Sequence, residues 1–180
     1  MNNKRKITIS LITTGFVLIV LLAAAYYVKF QQGITNSHAS GVVLQVLSTK
    51  TSVKVGDEFI VSVYIDTGGL SVTGADVRVR YDSSRLLAET ITPGTFLPVV
   101  FVPGKITQAS AIAQIILGSN PTAPKAGNGI LETVKFKAIA ASTATNIFLG
   151  PATAIAAVGY PTSVLSGAMP SVNVAITKAP

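Results

Sequence analysis

The chain has no cysteine and no tryptophan, one histidine, and seven acidic residues in 180. Each shortage removes a class of chemistry. Without cysteine there is no disulfide staple, no thiolate nucleophile, no Cys-type zinc or iron–sulfur site and no covalent haem attachment. The single histidine, His38, stands in the polar stretch QQGITNSHAS. A general base needs carboxylate and nucleophile partners held against it, and a connector does not preorganise them. Without tryptophan, a stacking platform for sugar rings falls to the five tyrosines. Tyr26 and Tyr27 end an apolar run and Tyr81 falls on the inward side of a strand pattern, so only Tyr64 and Tyr160 remain. The seven carboxylates fall short of an evident glycosidase pair, because Asp57, Asp66 and Asp82 all sit in turn contexts where a short acceptor caps backbone amides. The same three are candidate calcium ligands at one end of a sandwich, although no D-x-[DN]-x-[DN]-G loop is present. No other cofactor is implied.

What the chain has in excess is apolar side chains, 49% of residues against 12% charged. Part of that excess is one run, Ile7 to Val28, 22 residues without a charge, preceded by Lys4, Arg5 and Lys6 and followed by Lys29. As a helix rising about 1.5 Å per residue, such a run spans the roughly 30 Å hydrocarbon layer of a bilayer. The basic triplet keeps the N-terminus cytoplasmic and sends the rest outside. The run exceeds the usual apolar length of a cleaved signal, which predicts an uncleaved signal anchor. Cuts after Ala25 or Ala39 are the alternative, and would release a secreted domain. The expected organisation is 1–29 cytoplasmic stub and transmembrane anchor, 30–40 linker, and 41–178 folded domain. Four of the 14 basic residues belong to the anchor, leaving ten against seven acidic residues elsewhere. With no cluster of Lys/Arg and aromatics, nucleic acid is not an expected partner.

After the linker the periodicity is two, the period of half-buried strands. Phe59, Val61, Val63 and Ile65 form one apolar set; Ala75, Val77, Val79 and Tyr81 form another, opposite Asp76, Arg78, Arg80 and Asp82. Val42, Leu44 and Val46 repeat the pattern near the start, Val134, Phe136 and Ala138 in the middle, and Val172, Val174 and Ile176 at the end. VGDE, DTGG, YDSS, TPGT and VPGK read as turns. LGSNPTAPKAGNG (117–129) reads as a surface loop, and within 138–159 one strand is expected around Asn146–Leu149. Short strands with regular turns and no convincing amphipathic helix predict an all-β sandwich.

The order VGDEFIVSVYIDTGG, TGADVRVRYDSSRLLAETITPG, GNGILETVKFKAIAAS, SVNVAI resembles the cohesin domain over nearly all of Gly41 to Ile176, most specifically at Gly74–Leu87. The resemblance implies a nine-stranded jelly-roll β-sandwich, related in fold to carbohydrate-binding modules of the cellulose-binding kind, preceded here by one transmembrane helix. It implies a non-catalytic module that holds a dockerin through a flat sheet face. On that face the strand Gly74–Tyr81 offers Asp76, Arg78 and Arg80, and an expected strand Lys105–Ala113 offers Gln108 and Ser110. Two alternatives stand beside it. One is a carbohydrate-binding module serving polysaccharide catabolism. The other is a pilin-like surface subunit, because GFVLIVLLAAAYY (15–27) is also similar to the start of a type IV pilin, departing from it at Thr14 and Val20.

Overall fold

The computed structural model describes residues 41–120 and 122–178. The expected anchor and linker, His38 with them, lie outside the described residues. Among the described residues no helix is long and apolar enough to cross a membrane.

The described residues form eleven strands: β1 (Val43–Ser48), β2 (Ser52–Lys54), β3 (Glu58–Asp66), β4 (Val72–Arg80), β5 (Leu86–Pro93), β6 (Val99–Thr107), β7 (Ile112–Gly118), β8 (Asn128–Ala138), β9 (Ser142–Leu149), β10 (Ala154–Ala157) and β11 (Ser171–Thr177). They form two sheets, β1-β3-β8-β5 and β2-β11-β9-β4-β7-β6, with β10 also paired to β4. The pairing is antiparallel except for β2 against β11. The all-β sandwich is thus as expected, but with eleven strands instead of nine; two of them, β2 and β10, are only three and four residues long. Runs that short carry too few alternations to stand out from a turn.

The alternation places the core. Phe59, Val61, Val63 and Ile65 on β3 and Ala75, Val77 and Val79 on β4 are all buried, as are Val134, Phe136 and Ala138 on β8. A one-residue slip in any of these strands would turn its apolar set to water, so burial fixes the register. Phe136 sits at the centre, stacked on Phe59 at 5.8 Å and met edge-on by Tyr81 at 5.1 Å. Turn chemistry closes the ends. Asp57 accepts from the Lys54 amide, Asp66 from that of Gly68, and Asp82 from both the amide and hydroxyl of Ser84. Gly56 adopts φ +97°, which the tight turn before β3 requires.

Four expectations need correction. VPGK is not a turn: it lies inside β6, where the pairing to β7 slips on either side of Val102. Pro103 offers no N–H to a ladder, and an edge strand absorbs that loss as a bulge. The loop 117–129 is shorter than expected, since β7 runs to Gly118 and β8 begins at Asn128. Its Lys125 pairs back to Val72 through both backbone groups. The strand expected around Asn146 starts at Ser142, its Ala and Thr residues gaining strand geometry from pairing with β11. Finally, Lys105–Ala113 is not one strand; β6 ends at Thr107, a 3₁₀ turn occupies Gln108–Ser110, and Ala111 (φ 52°) turns the chain into β7.

Candidate functional site

The outer face of β9-β4-β7-β6 is built around β4, whose inward valines leave Asp76, Arg78 and Arg80 on the opposite side. Arg78 grips Asp76 from two positions along the strand, Nε donating at 3.1 and 3.2 Å and Nη2 at 2.7 Å. From β7, Gln114 Nε2 donates to the same carboxylate at 2.8 Å. Asp76 thereby joins two strands, and its hydrogen bonds, with its charge behind them, hold the Arg78 guanidinium more firmly protonated. The backbone beneath is equally fixed: the Arg78 amide donates to Thr153 Oγ1 and its carbonyl accepts from the Gly150 amide. At that corner β9, which pairs with Val79 and Arg80, gives way to β10, which pairs with Asp76 and Ala75. Arg80 reaches the other way, to the Ser110 carbonyl at 3.4 Å.

Three of the five residues singled out from the sequence therefore share one face, and two do not. Gln108 turns inward from its 3₁₀ turn, accepting from the Tyr81 hydroxyl at 2.6 Å and donating to the Ala88 carbonyl at 2.8 Å. It satisfies the polar tip of a core aromatic, whose phenol burial pushes upward in pKa. Ser110 is exposed at the rim, its hydroxyl donating to Thr107.

An apolar groove of about 320 Å³ adjoins Asp76 on the same face, walled by Phe101, Ile116, Ile155 and Tyr160. Phe101 is 58% exposed, lying over Gly118, where a β-carbon would overlap the ring. With Val99, Val100 and Val102 also exposed, β6 presents an apolar edge to this face. Gln114, Ile116 and Phe101 were not singled out from the sequence. The run IAQIILG contains a single polar residue, so its inward and outward sides do not separate by hydropathy. The only signal was the polar Gln114 itself.

The three calcium candidates stand apart, each carboxylate engaged by its own turn, and among the described residues no group of three or more His, Cys, Asp or Glu is placed to hold a metal. Tyr64 lies on β3 of the four-stranded sheet and Tyr160 in the turn after β10 of the other, so the two do not make one aromatic platform.

The outer face thus sets an ordered polar cluster, Asp76–Arg78–Gln114, beside an apolar groove on a β-sandwich. The model of the cohesin domain matches residues 44–159, more than half the chain, and the chain belongs to that family. Cohesins are non-catalytic modules that bind dockerins. No curated protein matches the chain. Among solved structures, the cohesin module of a Clostridium perfringens family 33 glycoside hydrolase is similar at TM-score 0.64 and 17% identity, covering 78% of this chain and all of that one. A type II cohesin–X-dockerin complex from Acetivibrio cellulolyticus matches at 0.59 and 17% identity, over 76% of this chain and 99% of that one. A non-cellulosomal cohesin from the archaeon Archaeoglobus fulgidus matches at 0.59 and 13% identity, over 74% and 91%. At these identities the likeness is one of fold.

Proposed function

We propose that this chain is a cell-surface cohesin, tethered by its first 29 residues, that holds a dockerin-bearing protein on the outer face of β9-β4-β7-β6. The observation that carries the reading is the Asp76–Arg78–Gln114 cluster beside the Phe101 groove. An ordered, partly desolvated polar centre next to an apolar recess is the pairing from which protein interfaces draw affinity and register. The face is also asymmetric in charge. Asp76 is compensated by Arg78, while Arg80 and Lys105 have no acidic neighbour on these strands. That excess suits a partner presenting carboxylates, which would be steered in at low salt. A polysaccharide ligand is less well served, since Tyr64 lies on β3 and Tyr160 in the turn after β10, which belongs to the other sheet.

The test is calorimetric titration of the chain with a panel of dockerins. Arg78→Ala leaves Asp76 with Gln114 but without its ion-pair partner and is expected to weaken binding at least about tenfold, in the range of an interface arginine. Unchanged affinity in Arg78→Ala/Arg80→Ala would place the partner elsewhere. For the tether, the chain is expected in the membrane fraction after a high-salt wash, and a chain lacking residues 1–29 in the soluble fraction. Recovery of the intact chain as a soluble, shortened species would favour cleavage after Ala25 or Ala39.

A further inference from the structure

Glu132 is the one carboxylic acid among the described residues that the core encloses completely. Neither of its oxygens has a hydrogen-bond partner. Its position follows from a β-bulge. Val63 pairs with Glu132 but the next residue, Tyr64, pairs with Ile130, so Leu131 is extra and both Leu131 and Glu132 are buried. A carboxylate without partners in such surroundings is far more costly than the neutral acid.

Among the described residues, none of the neighbours offers a cation to relieve that cost. Across the ladder its neighbours are Val63 on β3 and Pro93 on β5. The ionisable groups of β3 (Glu58, Tyr64, Asp66) alternate away from the buried set, and Glu89 on β5 bridges outward to Lys135. β7 and the segment 94–97 carry no ionisable side chain, and Lys125 in the preceding loop is exposed. On β4, Arg78 and Arg80 face outward, and Asp76 acts on Glu132 only as a further negative charge. Burial first, and Asp76 second, push the acid well above the ordinary carboxylate range.

We propose that Glu132 is a pH-sensitive latch: its neutral form closes the start of β8 between β3 and β5, and its ionisation loosens that end of the four-stranded sheet. The weak side is β5. It is the sheet's edge, and Pro93, opposite Glu132, has no N–H to give. Beyond it the Gly94 amide donates to Leu131 and the Phe96 amide to Ile130, so a disturbed bulge frees the segment leading into β6. The sign follows from linkage. The folded chain holds this proton more tightly than the unfolded one, so the contribution is complete below the ordinary carboxylate value and is lost as pH rises through the folded value.

The experiment compares the full chain with Glu132→Gln, a neutral isostere, measuring unfolding midpoints from about pH 5 to about pH 9 and amide exchange at each pH. The wild-type midpoint is expected to fall with rising pH relative to the variant. Gly94 and Phe96 should exchange faster in wild type than in Glu132→Gln at the alkaline end and alike at the acid end. Asp76→Asn, by removing the repelling charge, should start the wild-type fall at lower pH. Parallel pH profiles for wild type and Glu132→Gln would overturn the proposal. Should Glu132→Gln fail to fold, infrared spectroscopy of the wild type decides. A protonated-carboxyl band at neutral pH that disappears as pH rises supports the latch, and its absence at neutral pH refutes it.

Discussion

At the scale of single residues, the difference between Gln108 and Gln114 shows how one side-chain type serves two purposes. Gln108 accepts a hydrogen bond from the Tyr81 hydroxyl and donates its own amide to the Ala88 carbonyl, a chain of bonds that starts at the aromatic core. Gln114 reaches across the open face to Asp76. Gln108→Ala is therefore expected to lower stability by about 1–2 kcal/mol, read from the urea midpoint, because a buried hydroxyl loses its acceptor. Partner affinity should stay unchanged. Tyr81→Phe should lose less, since it removes the hydroxyl that needs an acceptor and leaves the half-buried Gln108 carbonyl open to water. If Gln108→Ala weakens binding while leaving the urea midpoint in place, this division of labour is wrong.

At the scale of elements, β6 and β7 form a unit in which Gly118 carries Phe101. Gly118→Ala is expected to lift the ring off the sheet and weaken partner binding as much as Phe101→Ala does, with no further loss in the double variant. Additive losses would show that Phe101 is held by something else. These two strands also mark the limit of what the sequence reveals. Strands β3 and β4 were legible because each alternates cleanly and has one wet side, so Asp76, Arg78 and Arg80 could be placed on a common face from spacing alone. β6 was not, because all but one of its nine residues are exposed and Pro103-Gly104 imitates a turn. Gln108 and Ser110 were assigned to a strand because nothing in KITQASAIA announces a reversal; the positive φ falls on Ala111, a residue type that seldom takes it. Glu132 was hidden for another reason. A bulge adds one residue out of phase, and period-two reading puts the residue after Leu131 in water.

At the scale of the whole molecule, the sandwich has no disulfide and holds by burial and pairing alone. Its order in space is far from its order in sequence. β11, the last described strand, lies inside the seven-stranded sheet, between β2 and β9. Removing Ser171–Thr177 strips β9 of its partner on that side, leaves the short edge strand β2 unpaired and takes Val174 and Ile176 from the core. Such a truncation is expected to abolish cooperative unfolding in calorimetry, whereas losing an outer strand would only trim it. A sharp transition in the truncated chain would mean that β2 and β9 can close on each other.

The interior seat of β11 also bears on timing. β11 follows both β2 and β9 in sequence and bridges them in space, so those two ladders stay incomplete until β11 docks, a long-range closure that sets the pace of folding.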